Sequence, residues 1–150
     1  MISASFWNLV EENAAAHGAH LIDLVVRGEK GSSIVEVFVD AEEPVTSDLC
    51  AQLSRDFGGI IERNEFVRGS YRLVVSSPGI DRPMKYRWQY RKHIGRPFEL
   101  RVREGDTART VDGRLAEVKE GGVVIENEST RAQVHMDFEN IIEAKVKAPW

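Results

Sequence analysis

Near the N-terminus, apolar side chains recur at Phe6, Leu9, Val10 and Ala14, the i, i+3, i+4, i+8 spacing of one helical face. Ser5 is the expected N-cap and Gly18 the expected stop. The stretches LIDLVV (21–26) and SIVEVFVD (33–40) are rich in β-branched residues, and Gly28 and Gly31 lie in the segment between them. This pattern predicts two antiparallel strands joined by a hairpin turn. Pro44 interrupts the chain, and Thr46 or Ser47 can cap a second helix. Its apolar positions, Leu49, Cys50, Leu53, Phe57, Ile60 and Ile61, repeat with helical period to about Arg63. Tyr71, Leu73 and Val75 alternate along a third strand that ends at Ser76-Ser77-Pro78-Gly79. The front of the chain therefore reads α-β-β-α-β, two helices on a small mixed sheet.

Beyond Pro83 the texture changes. YRWQYRKHIG (86–95) has room for one or two helical turns, and short strands are expected near 97–103, 111–118, 122–127, 131–136 and 142–147. Bends at Gly113, Gly121 and Gly122 between such strands suggest a small closed or nearly closed β-barrel. DFENI (137–141) can hold one 3₁₀ turn. The fold class is α+β, with an expected boundary between residues 1–82 and 83–150.

Composition adds little to this reading until charge is followed along the chain. Of 150 residues, 42% are hydrophobic and 29% charged, a globular balance. The net charge of -4 conceals a split: residues 1–83 hold 7 Lys/Arg against 13 Asp/Glu, and residues 84–150 hold 13 against 11. Between Arg82 and Arg103, eight cations face one acid, Glu99. The single cysteine, Cys50, cannot form an internal disulfide and is read as a small buried hydrophobe. No apolar run approaches the ~20 residues of a membrane span. No leader pattern is evident, and a reducing cytoplasmic setting is expected.

The stretch VSSPGIDRPMK (75–85) invites a catalytic reading of its serines. A nucleophile elbow needs Gly-x-Ser-x-Gly and a base within reach, and neither Ser76 nor Ser77 has those glycines. Pro78 and Gly79 suit the central positions of a type II turn, and Pro83 biases Arg82 toward extended geometry. A stiff connector explains these residues better than catalysis, so no enzyme is expected. One cysteine and four dispersed histidines offer no metal-ligand spacing, and no glycine-rich nucleotide loop is present. Neither a metal nor a cofactor is expected.

The basic strip carries the functional edge. Arg82, Lys85, Arg87, Arg91, Lys92 and Arg96 can meet successive phosphates, and Tyr86, Trp88 and Tyr90 offer faces for unpaired bases. For Trp88, anchoring the short helix to the barrel is the preferred alternative.

The segment YRLVVSSPGIDRPMKYRWQYRKHIGRPFELRV, with VEVFVD and VTSDLCAQLSRDF upstream and DFENIIEAKV downstream, resembles the RimP family of bacterial ribosome maturation factors. Ser76, Ser77, Pro78, Gly79, Asp81, Arg82 and Pro83 match the family's interdomain motif. Met84 replaces the usual leucine, and Arg68-Gly69 stands where many relatives have proline-glycine. The resemblance implies an Sm-like, or SH3-like, C-terminal barrel. It also implies a non-enzymatic role in 30S assembly, with the immature 30S subunit, 16S rRNA and a small-subunit ribosomal protein as partners. Off the ribosome a monomer is expected. A rival expectation is a protein-binding adaptor whose barrel recognises a peptide.

Overall fold

The structure, a computed structural model, describes residues 2–80 and 82–148. It divides into two compact units, Met1–Pro78 and Gly79–Trp150.

The first unit runs α1 (Ala4–Ala16), β1 (His20–Arg27), β2 (Ser33–Asp40), α2 (Ser47–Asn64) and β3 (Tyr71–Ser76). The N-cap of α1 is Ser3 rather than Ser5: its side chain accepts from the Phe6 N–H at 3.1 Å, so the helix starts one residue before Ser5. Gly18, at φ +76°, ends the helix by letting the Ala19 N–H turn back to the Ala14 carbonyl. Thr46 caps α2 through the Leu49 N–H. β1 pairs antiparallel with β2, and β2 parallel with β3, giving a mixed sheet of order β1-β2-β3.

Phe6, Val10 and Ala14 from α1 and Leu53, Phe57, Ile60 and Ile61 from α2 join Leu21, Leu24, Val35, Val37 and Val39 of the sheet in one core. Burying such a side chain contributes roughly 1.5–3 kcal/mol. The alternating strand residues and the helical stripes thus meet as their periods require. Cys50 is a partial exception to the expected pattern: near the start of α2 it is only half-buried, and what burial it has pushes its thiol pKa up.

The second unit opens with a 3₁₀ helix, η1 (Arg87–His93), followed by β4 (Pro97–Glu104), β5 (Thr107–Val118), β6 (Gly122–Glu126) and β7 (Gln133–Asp137). A second 3₁₀ turn, η2 (Phe138–Asn140), leads into β8 (Ile141–Val146). The strands form an antiparallel sheet of order β7-β6-β5-β4-β8, in which β7 and β8 are the two edges. The ladder is therefore open where a closed or nearly closed barrel was expected. Even so, one core draws on all five strands: Phe98, Leu100, Val102, Leu115, Val123, Ile125, Met136, Ala144 and Val146.

Two strand limits differ from expectation for local reasons. β5 starts at Thr107, because residues 107–113 pair with β4 before β6 is reached at Arg114. β7 starts at Gln133, because Asn127 Oδ1 accepts from the Ser129 and Thr130 N–H groups and folds 127–132 into a turn. The boundary between units falls four residues before the expected 82/83. Ile80 and Met84 pack against the second core, and the Met84 N–H donates to the Ala144 carbonyl at 2.8 Å. The connector is thereby drawn into the second unit.

Candidate nucleic-acid interface

The basic segment owes its local shape to one buried amide. Gln89, 1% exposed, accepts at Oε1 from the backbone N–H groups of Lys85 (2.6 Å) and Tyr86 (2.8 Å). These are donors that a helix start leaves unsatisfied, and a neutral acceptor three or four residues along meets both. Sequence reasoning passed over Gln89, since a glutamine amid cations carries no signal of burial. Its position three residues after Tyr86, like the last member of a capping box, was the available clue.

Tyr90 anchors η1 from beneath. It is 6% exposed, stacks on Phe98 at 6.0 Å and meets Phe138 of η2 at 5.3 Å. Burial pushes its phenol pKa up to about 12, so the ring stays neutral. Downstream, the Gly95 N–H donates to the Leu115 carbonyl and the Leu115 N–H to the Arg96 carbonyl, which fastens the end of the segment to β5.

With η1 fixed in this way, its cations point outward. Lys85, Arg87, Arg91, Lys92 and Arg96 are all exposed, and Arg82 is half-buried. The Arg87 guanidinium lies over the Phe138 ring at 4.7 Å, and Lys85 Nζ sits 5.7 Å from the Tyr86 ring. Arg96 Nη1 is 3.3 Å from His93 Nδ1. Among the described residues, no carboxylate lies within ion-pair distance of Arg87, Arg91 or Arg96. Positive potential is therefore left uncompensated along η1.

The β4 half of the basic strip behaves differently. Its exposed positions alternate with core residues, and in register Glu99 stands opposite Lys145 and Arg101 opposite Glu143. Facing opposite charges across an antiparallel pair largely cancels their field. The cationic surface is thus concentrated on η1 and Arg96.

The expected stacking residues are placed for packing instead. Tyr86 and Trp88 lie against each other at 5.7 Å with planes 9° apart, and Tyr90 is inside. Of the junction residues, Ser76 is the last of β3, in register with Phe38, and Ser77 is exposed. Pro78 is buried, and Gly79 has the positive φ, +57°, that its turn position was expected to need. Arg82 and Pro83 are half-buried. Asp81 lies outside the described residues.

Residues 9–81 match the family model described as the RimP N-terminal domain. By that match the chain belongs to the RimP family. RimP proteins are ribosome maturation factors, and the matched segment coincides with most of the α-β-β-α-β unit and runs three residues past its end. The cations of η1 lie beyond the matched RimP segment, so their role rests on their own geometry. Among the described residues, no helix is long and apolar enough to cross a membrane.

Proposed function

We propose that this RimP-family chain is a cytoplasmic factor for assembly of the 30S ribosomal subunit. It binds immature subunits through 16S rRNA and a small-subunit ribosomal protein and catalyses no reaction. The observation that carries this reading is the match of residues 9–81 to the RimP N-terminal domain. The second unit adds support. Its strand order β7-β6-β5-β4-β8, with a 3₁₀ turn before the last strand, suits an Sm-like or SH3-like barrel, and η1 supplies uncompensated cations for phosphate. The acidic first unit suits a basic ribosomal protein, whereas RNA would repel it.

Purified protein incubated with immature and with mature 30S subunits, then pelleted, tests the proposal. Retention on immature subunits, lost after nuclease treatment, is expected. Retention that survives complete rRNA digestion would favour a protein-binding adaptor, and equal retention on both subunit forms would remove the maturation role. Ser77→Ala should bind as the wild type does, since no chemistry is assigned to that hydroxyl.

A further inference from the structure

The form of RNA that η1 takes follows from what its surface lacks. Proteins that hold single-stranded RNA stack its splayed bases on aromatic faces or clamp them in aromatic-lined grooves. None of the described aromatic residues of this chain is exposed. In the second unit, Phe98 is fully buried, Tyr90 is held between Phe98 and Phe138, and Tyr86 and Trp88 cover one another. The Phe138 ring carries the Arg87 guanidinium. The large apolar residues that do reach solvent are aliphatic, Ile94, Val134 and Ile142. A base has no ring on which to stack.

What remains is a row of cations on a stiff support. A 3₁₀ helix rises about 2 Å per residue, so Arg87 and Arg91 are spaced roughly 8 Å along the axis. Lys92 and Arg96 extend the row. Fixed cations without base-reading groups recognise the phosphates and shape of a helical RNA, whose backbone geometry is regular and whose bases are already stacked. We propose that η1 engages double-helical RNA through its phosphate backbone and does not hold unpaired bases. The inference rests on the assembly-factor reading for its ligand, RNA, and goes beyond it by naming the form.

The test compares a long-stem RNA hairpin with oligouridine of equal nucleotide number, titrated with the full chain at several salt concentrations. The stem should bind on the order of tenfold or more tightly. Arg91→Glu should weaken stem binding and lower its salt slope by about one, the loss of one phosphate contact. Trp88→Leu, with the fold checked by circular dichroism, should leave stem affinity within about twofold, whereas a lost stacking partner would cost on the order of tenfold or more. Tryptophan fluorescence of the wild type serves where that variant misfolds: the stem should leave it unquenched. Oligouridine binding as tight as the stem, a large loss in Trp88→Leu, quenching by the RNA, or failure to bind the stem would each overturn the inference. Pelleting with immature subunits separates the two levels. Subunit binding without stem preference removes only the inference, whereas no subunit binding removes the assembly-factor reading itself.

Discussion

The carboxylate of Glu126 accepts from Arg114 Nη2 at 2.7 Å, Gln133 Nε2 at 3.2 Å and Arg131 Nη1 at 3.2 Å. The hydrogen bond from Arg114 is the largest of several influences that bring its pKa down from 4.5 to about 2, with burial opposing. A carboxyl held lower in the folded state stabilises the fold above its unfolded value and loses that contribution as pH falls toward its folded value. Glu126→Gln should therefore be less stable than the wild type at neutral pH, and the gap should shrink between about 4.5 and 2. Denaturant unfolding at a series of pH values measures it, and a gap independent of pH would contradict the ion-pair explanation. Gln89 offers a second test. Gln89→Leu keeps the apolar bulk but strips the acceptor from the Lys85 and Tyr86 N–H groups, at an expected cost of about 1–3 kcal/mol. A change within about 0.5 kcal/mol, the range of an ordinary surface substitution, would show that water replaces the amide.

Among the elements, β5 turns from one partner to another at Gly113. A Cβ there would lie 2.5 Å from Ile125 Cγ2 and 2.7 Å from the Glu126 carbonyl oxygen, so the strand can approach β6 only without a side chain. Gly113→Ala should cost about 1–3 kcal/mol through overpacking, read as a fall in the unfolding midpoint. An unchanged midpoint would mean that the sheet flexes to admit the methyl. Thr46→Ala, which removes only the cap of α2, should cost about 1 kcal/mol by the same measurement. Elements with a strong period were legible from sequence: α2 from its apolar stripe, and β2 from Val35, Val37 and Val39 alternating onto the core. Less legible were limits set by partners or turns. The early start of β5 is fixed by β4 across the hairpin, and the late start of β7 by the Asn127 side chain. The stacking role expected of Tyr86 and Trp88 failed for a related reason. Residue type announces an aromatic face, but only the folded chain shows that the face is already covered.

At the scale of the whole molecule, the first unit is a RimP N-terminal domain with an acidic balance, and the second presents its free cations on one short helix. Sequence alone located those cations. It did not show that Arg101 would stand opposite Glu143 while Arg87 and Arg91 would have no carboxylate partner, because cross-strand register decides the first and the pinning of η1 the second. The proposal that η1 is where the protein meets ribosomal RNA stands or falls on the salt dependence of subunit binding. Co-sedimentation of the wild type and of the Arg87→Glu, Arg91→Glu, Lys92→Glu triple variant with immature 30S subunits, across a salt series, measures it directly. The variant should bind more weakly, with a slope of log affinity against log salt shallower by about one for each phosphate contact removed. An equal slope for the two proteins would contradict the proposed role of η1.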